Sequence, residues 1–322
     1  MRKNVLAGVL SVVLAASTNA QTKGGACDRA CLTAIVDQYL AAMVAHDSKQ
    51  APFAANIKYT ENAAKLPLTD GLWFTANGLT DYKIYIADPQ GGAVGFIGMI
   101  NDHNVPGQPE KPTILALRLK VVNRQITEAE AVTVRGVGAN NLGNLKTPRP
   151  TIMETLPPSE RRSREELIKI TNLYFDGIEQ STGDIVPFDD ECNRLENGMR
   201  TAGPPLSGAP PPQTKGKFGP PITQRCVDGF NSGVFAVITA IRPRRVLVVD
   251  EEKGLTFGVF MFQHKGLATV KGKDGETRGA AYFNGEPVTM PMAEMFKIKN
   301  GKIRDVEAIG IRLPYGMGSG WE

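Results

Sequence analysis

The sequence predicts an α+β protein made of two tandem copies of one small domain. Its 322 residues suit two domains, since single domains usually contain roughly 100–200 residues. Part of the chain repeats at a constant spacing, and each copy starts with a helical pattern that a run of strand patterns follows. A leading helix before antiparallel strands is the α+β arrangement. Hydrophobic residues (42%) and charged residues (22%) occur at levels typical of globular proteins.

Sequence self-similarity defines the two copies. Residues 39–62 match residues 174–197 at a constant offset of 135, without a gap. Residues 125–131 match residues 302–308 at an offset of 177. The change in offset from 135 to 177 places 42 additional residues in the second copy.

These matches divide the chain into segments. We assign residues 26–135 to the first domain, 136–160 to a linker and 161–322 to the second domain. Much of the additional sequence is a segment rich in Pro and Gly near 203–221, which predicts an irregular surface loop.

The local patterns predict the elements in order. Helices are expected at 28–45 and 163–179, where apolar residues recur at helical spacing and Ser163 with Glu166 forms a capping box. A short helical or turn segment is expected around Phe53 and around Phe188. The predicted strands are residues 81–87, 93–100, 113–122, 127–134, 235–241, 245–249, 255–264, 293–299 and 302–312. Asn300 and Gly301 predict a tight hairpin turn.

The first twenty residues have the layout of a secretory signal peptide. Arg2 and Lys3 give a positive start, residues 5–16 form a short apolar run, and small residues precede a cleavage position after Ala20. A buried N-terminal helix or a membrane anchor is the alternative. The pattern predicts a periplasmic or secreted protein, and no other apolar run approaches the length of a membrane span.

The cysteines predict two disulfides. An even number in an exported chain indicates pairing. Cys27 with Cys31 would close one turn at a helix start, and Cys192 with Cys226 would staple the Pro-rich loop. Cross-pairing between the two halves is the alternative.

Charge and motifs exclude several functions. The formal charge is +4, and Arg2 and Lys3 of the leader supply two of the positive charges, so nucleic acid binding is not expected. The sequence has no phosphate-binding loop, dinucleotide fingerprint or nucleophile elbow. The three histidines are too widely separated for a metal site. We therefore expect no cofactor and no metal.

Three segments carry a resemblance to a known family. The helix end at 45–47, followed by residues 56–62, resembles the SnoaL-like group of the nuclear-transport-factor-2-like superfamily, and so does the terminal hairpin at 294–303. Residues 27–31 and 70–73 resemble an exported branch with tandem domains. The resemblance implies a curved antiparallel sheet packed on N-terminal helices as a cone, with an apolar pocket at its open end. It also implies cofactor-free cyclases, isomerases, dehydratases or lyases, besides ligand-binding and assembly proteins.

Aromatic residues and one carboxylate indicate a pocket in the first copy. Glu61 is the candidate general base. Because Glu61 and Asn62 recur in the second copy, a structural role in a turn is the alternative. The expected lining residues are Tyr59, Glu61, Trp73, Tyr82, Tyr85 and Arg118.

The counterparts in the second copy are Arg194, Glu196 and Asn197. Arg194 replaces Tyr59, so the two pockets are expected to act differently. We expect Arg194 and Asn197 to bind substrate and Glu196 to be catalytic.

His264 is a further acid/base candidate. It ends a predicted strand, and strand alternation places it on the same face as Phe260 and Phe262. A surface histidine is the alternative. Glu294 and Glu307 lie on the last two predicted strands. If either carboxylate faces the inside of the domain, it could pair with His264 or Arg312.

These features favour an exported, cofactor-independent lyase, isomerase or hydratase that acts on a small apolar or aromatic compound. The alternative is a non-catalytic ligand-binding or scaffold protein, in which one copy mainly packs against the other. A homodimer remains open.

Overall fold

The computed structural model describes residues 27–103, 109–204, 225–271, 275, 277–279 and 285–322. The predicted leader and residues 205–221 of the Pro-rich segment lie outside the described residues. The described chain forms two tandem α+β domains, each with a helix before its sheet, which confirms the predicted fold class.

The first domain contains two helices and a six-stranded sheet. The strands lie in the order β2-β1-β6-β5-β4-β3, and every neighbouring pair is antiparallel except β1 with β6, which is parallel. Its elements are α1 (Arg29–Val44), β1 (Phe53–Glu61), β2 (Ala64–Lys65), α2 (Leu72–Thr75), β3 (Ala76–Asp88), β4 (Ala93–Asp102), β5 (Lys111–Val122) and β6 (Gln125–Val134).

The second domain repeats this topology. Its main sheet has the order β8-β7-β14-β13-β10-β9, with β15 beside β13, and β11 pairs with β12 as a separate hairpin. After α3 (Ala139–Leu142) and α4 (Pro150–Met153) of the linker, its elements are α5 (Arg164–Glu179), β7 (Phe188–Glu196), β8 (Met199–Ala202), α6 (Cys226–Asn231), β9 (Ile238–Asp250), β10 (Leu255–His264), β11 (Thr269–Lys271), β12 (Thr277–Gly279), β13 (Val288–Lys299), β14 (Lys302–Gly310) and β15 (Leu313–Pro314).

The start of each sheet differs from the prediction. Phe53 and Phe188 begin strands β1 and β7 instead of a helical or turn segment. Each of these strands pairs in parallel with the last long strand of its domain, a long-range contact that local sequence does not report. Strand β9 is continuous where two shorter strands were predicted, because Pro243 lies on an edge strand, where a missing N–H is tolerated.

The element bounds locate the additional residues of the second copy in two places. The offset between equivalent elements is 135 for α1/α5 and β1/β7, 162 for β3/β9 and β4/β10, and 177 for β5/β13 and β6/β14. β2 and β8 also start 135 residues apart, so insertions of 27 and 15 residues follow β8 and β10, respectively. The second insertion contains the β11–β12 hairpin.

Several local predictions are confirmed. Ser163 and Glu166 form the capping box of α5, and Asp28 caps α1 by accepting a hydrogen bond from the Cys31 amide. Asn300 and Gly301 both have positive φ, as a type I′ hairpin turn requires. The disulfides join Cys27 to Cys31 and Cys192 to Cys226, so the halves are not cross-linked.

Each sheet has two buried faces. The inner face packs against the helices of its own domain, and the outer face packs against the outer face of the other sheet. The outer faces share one apolar core, with Ile86 and Ile97 from the first domain and Val248 and Phe257 from the second. The linker adds Leu145 and Ile152 to this core, so it packs rather than merely connects.

One close contact crosses the centre of this core. A Cβ built on Gly95 of β4 would lie 3.0–3.2 Å from three atoms of Phe257 on β10. Gly95 and Phe257 occupy equivalent positions, since β4 and β10 are related by the offset of 162. The phenyl ring therefore fills the space that the glycine leaves.

Two ion pairs cross between the domains in a reciprocal way. The Arg29 guanidinium at the start of α1 donates to Asp250 at 2.6 and 2.7 Å. Arg164, its equivalent in α5, donates to Asp88 at 2.9 and 2.8 Å. Asp88 and Asp250 are themselves equivalent and buried. Each helix is thus tied to the hairpin of the other domain by an approximate two-fold arrangement.

We expect Asp88→Asn and Asp250→Asn to lower the free energy of unfolding by similar amounts, about 1–3 kcal/mol each, because each removes the buried negative charge and one of the two oxygens that the guanidinium binds. Urea unfolding monitored by circular dichroism measures the change. Glu252→Gln is the matched control: Glu252 also binds Arg29, but its side chain is 55% exposed, and exposed pairs contribute little. A loss confined to one aspartate would show that the two crossings are not equivalent.

Candidate functional site

The inner face of the first domain is filled by its own side chains. Trp73 donates a 3.0 Å hydrogen bond from Nε1 to the Tyr39 hydroxyl, and the two rings meet edge to face at 5.1 Å. Phe53 packs against both rings. Tyr59 and Leu72 are buried in the same cluster. The predicted pocket of the first copy is therefore occupied by core residues.

Glu61 is saturated with hydrogen bonds. Its Oε2 accepts from the Tyr59 hydroxyl and the Leu72 amide, each at 2.8 Å. Its Oε1 accepts from Thr133 and Arg135, each at 3.2 Å. These contacts join β1 to α2 and β6, which corresponds to the structural alternative for this residue.

Two other residues expected in that pocket face away from it, and a third, Tyr85, packs at the edge of the inner-face cluster. Tyr82 is on the outer face, and its hydroxyl donates to Glu307 of the second domain at 3.2 Å. Arg118 pairs with Glu128, and its guanidinium carbon lies 5.7 Å from the centre of the Trp321 ring. Strand alternation explains the correction, since neither side chain shares the face of Tyr59. Tyr85 is partly buried and donates to Asp37 of α1 at 2.6 Å.

The side chain of Asn197 joins the end of β7 to β14. Its side-chain amide donates to the Gly310 carbonyl at 2.9 Å and accepts from the Gly310 amide at 3.0 Å. Asn62 makes the same pair of contacts with Thr133 in the first domain. Both amides extend the parallel strand pairing by one step, and Asn197 is not among the residues that line the pocket of the second domain.

Four substitutions between equivalent positions change the inner face of the second domain. Arg194 stands where the first domain has Tyr59, and Glu294 stands where it has Leu117. Phe235 of the Val234–Val237 turn replaces Trp73 of α2, and His264 replaces Asp102. A smaller ring thus replaces the indole of Trp73, and two ionisable side chains replace Tyr59 and Leu117.

Three of these residues, Arg194, Phe235 and His264, line a narrow pocket. It encloses about 390 Å³ when its open mouth is included, but only about 30 Å³ of its interior is free. That is room for about two water molecules. The lining is mostly apolar, and its three polar residues are Arg194, Glu196 and His264. The apolar lining residues are Val234, Phe235, Val237, Ile238, Phe262, Met290 and Met292.

Arg194 is the central polar group. It is only 4% exposed. Its Nε donates to the Tyr174 hydroxyl at 2.7 Å, and its Nη1 donates to Glu196 at 2.9 Å and to Thr201 at 2.8 Å. The guanidinium carbon lies 5.4 Å from the centre of the Phe235 ring. Arg194 therefore links the core of the domain to the carboxylate at the pocket wall.

Glu294 lies beyond Met292 on the inner face of β13 and is completely buried. Burial raises the pKa of its carboxyl to about 8, although Arg194 and the Tyr174 hydroxyl act in the opposite direction. Neither carboxyl oxygen meets the geometry of a hydrogen bond with a described residue. Glu294 is thus mostly protonated at neutral pH.

His264 lies at the end of β10, 5% exposed, on the same face as Phe260 and Phe262. The predicted strand alternation is correct. Burial lowers the pKa of its imidazole to about 4, so the ring is neutral at physiological pH. Glu307, the other carboxylate considered from sequence, faces the first domain and binds Arg149 at 3.0 Å.

The mouths of the two domains differ. In the first domain Arg135 bridges Glu61 and Asp102, at 3.2 and 2.7 Å, across the edge of the inner face. In the second domain the equivalent carboxylate, Glu196, binds Arg194 from the inside, and Arg312, the equivalent of Arg135, is exposed. The carboxylate of the second domain is thus held by an arginine of its own inner face, whereas that of the first domain is held by an arginine at the edge.

Sequence reasoning missed Tyr174 and Phe235 as parts of this site. The repeat contains the signal that would have found Phe235: an offset of 162 aligns it with Trp73. The same approach at an offset of 177 aligns Glu294 with Leu117, a buried position in which a carboxyl is unexpected.

The fold and the site define a two-domain α+β protein. The inner face of its first domain is filled by side chains, and that of its second domain has a pocket. A family model described as "Domain of unknown function (DUF8021)" matches residues 26–133 and 160–310, and the chain belongs to this family. The two matched segments correspond to the two structural domains. A search of curated proteins gives no match. Within the described residues, no helix has the length and apolar character needed to cross a membrane.

Proposed function

We propose that the second domain binds a small apolar or aromatic compound and transforms it by acid/base chemistry without a cofactor, as a lyase, isomerase or hydratase. The observation that carries this proposal is the charged Arg194–Glu196 pair in an otherwise apolar pocket. Pockets of this composition orient small ligands through a few polar groups. Buried ionisable residues with shifted pKa values are also concentrated at functional sites.

Glu196 is the proposed proton acceptor. Its carboxylate faces the pocket, and its side chain is 18% exposed, while Arg194 holds its position. A carboxylate fixed in this way can take a proton from the bound compound and return it to a neighbouring atom or to a leaving group. His264 supplies a neutral hydrogen-bonding group on β10, and Glu294 a protonated carboxyl behind the pocket.

The resemblance to the SnoaL-like group supports the same class of chemistry and remains part of the proposal. A periplasmic or secreted location is also proposed. The two disulfides support it, because disulfides persist in oxidising compartments. A homodimer would need a surface other than the paired outer faces, which already cover each other within one chain.

A scaffold role is proposed for the first domain. Its inner face is filled by Tyr39, Phe53, Tyr59 and Trp73, and its carboxylate Glu61 is fully bonded. These features favour a half that stabilises the second domain and takes no ligand itself.

We expect Glu196→Gln to reduce turnover about 10²–10⁴-fold, the usual contribution of a general base. The parent protein is first screened for compounds that raise its melting temperature, among small apolar aromatic metabolites, and each hit is tested for conversion by mass spectrometry.

Glu61→Gln is the matched control, because Glu61 is the equivalent residue in the filled domain. Turnover should persist in this variant at temperatures where it is folded. Loss of turnover in folded Glu61→Gln with full activity in Glu196→Gln would overturn the assignment. Binding without turnover would favour a carrier.

A further inference from the structure

Arg194 has one terminal nitrogen that no protein group uses. Three of its N–H groups bind Tyr174, Glu196 and Thr201 through Nε and Nη1. Nη2 has no hydrogen-bond acceptor among the described residues. It is also absent from the set of unpaired side-chain atoms that are fully shielded from solvent. Since Arg194 lines the pocket, Nη2 is the donor that remains for a group bound there. A guanidinium has donors only, so a ligand there must supply an acceptor.

The charges around the pocket decide what kind of acceptor fits. Arg194 is already neutralised by Glu196, 2.9 Å away. Glu294 is mostly protonated at neutral pH and His264 is neutral. A ligand carboxylate would add an uncompensated charge beside Glu196 in a buried site, where charge carries a large desolvation cost. A neutral oxygen acceptor adds no such charge.

The walls decide what the rest of the ligand is like. Phe235 and Phe262 offer ring faces, and Met290 and Met292 offer flexible apolar chains. The free interior holds only about two water molecules, so a carbonyl group can enter it while the rest of the ligand lies in the open mouth of the pocket.

We propose, on the basis of the proposed function of this pocket, that its ligands are neutral carbonyl compounds whose oxygen accepts a hydrogen bond from Arg194 Nη2. The carbonyl is held by the guanidinium, and the apolar remainder lies against Phe235 and the two methionines. Arg194 is thus a specificity-determining residue that selects a neutral carbonyl over both a hydrocarbon and a carboxylate.

Three probes of similar size test this inference: acetophenone, ethylbenzene and benzoate. Their affinities for the full chain are measured by NMR titration at pH 7. We expect acetophenone to bind about 10–100-fold more tightly than ethylbenzene, because it adds a hydrogen bond from a charged donor. Benzoate should bind no better than ethylbenzene.

Two variants refine the test. Glu196→Gln removes the charge that competes with an anion, and benzoate should then bind about tenfold or more tightly than it binds the parent. Arg194→Lys keeps the positive charge but lacks Nη2, and the preference for acetophenone over ethylbenzene should disappear.

The outcomes separate this inference from the proposed function. Equal binding of all three probes would leave the pocket in place and refute the role of Arg194. Tighter binding of benzoate to the parent would also refute it. If none of the three bound, the proposed ligand pocket and this inference would both fail.

Discussion

Phe257→Ala should lower the free energy of unfolding by about 3–5 kcal/mol, the usual cost of truncating a buried phenylalanine. The ring is 1% exposed and lies in the core that both domains share. Its loss leaves a cavity between the outer faces, so both domains should be weakened together. Urea unfolding followed by tryptophan fluorescence and by circular dichroism measures the effect. Phe74→Ala is the control, because Phe74 is 73% exposed and should change stability little.

A double-mutant cycle with Gly95 sharpens this prediction. Gly95→Val should by itself cost about 1–3 kcal/mol, since added methyl groups would overpack the space next to the ring. In the Gly95→Val/Phe257→Ala protein the valine fills part of the cavity, so the combined loss should be clearly smaller than the sum of the single losses. Simple additivity would show that Gly95 and Phe257 do not meet across the interface.

The pH dependence of stability should change most when Glu294 is replaced by glutamine. Burial raises the pKa of Glu294 in the folded protein to about 8, from an ordinary value of 4.5. The folded state therefore binds more protons than the unfolded state between these values. The contribution of this carboxyl is fully present below pH 4.5 and is lost as the pH rises through 8. Stability should fall by up to about 1.4 kcal/mol per pH unit in this window.

Glu294→Gln removes this slope and keeps the size of the side chain. We expect the difference in stability between variant and parent to grow by about 3–4 kcal/mol from pH 5 to pH 8, in favour of the variant. Urea unfolding at half-unit steps of pH measures it. Glu286→Gln, at an exposed carboxylate, should give a curve parallel to that of the parent. A constant difference between Glu294→Gln and the parent would show that Glu294 is ionised in the fold.

The sequence predicted the parts of the fold that local patterns specify. The helical period of α1 and α5, the capping box at Ser163 and the Asn300–Gly301 turn depend on neighbouring residues, and all are present. Strands β1 and β7 were missed because their partners, β6 and β14, lie far along the chain. Long-range pairing leaves little trace in a single sequence.

The residues of the candidate site were also predicted only where a pattern in the sequence marks them. Glu196 and Arg194 were found through the repeat, and His264 through strand alternation. A pocket was predicted in both copies. In the first domain, however, Trp73 packs on Tyr39 and fills the inner face, and residue types alone do not reveal this packing. Tyr82 was misplaced because it lies within a register shift of β3. Arg118 was misplaced because strand alternation puts it on the face of β5 opposite Leu117, which packs in the inner core.

The fit of Gly95 against Phe257 also decides which polypeptides could associate. Equivalent positions meet there, one without a side chain and one with a phenyl ring. Two first halves brought together would leave a hole at that point, and two second halves would force two rings into the same volume. Only unlike halves are complementary. Because one polypeptide contains both halves, it supplies the two complementary surfaces in a one-to-one ratio.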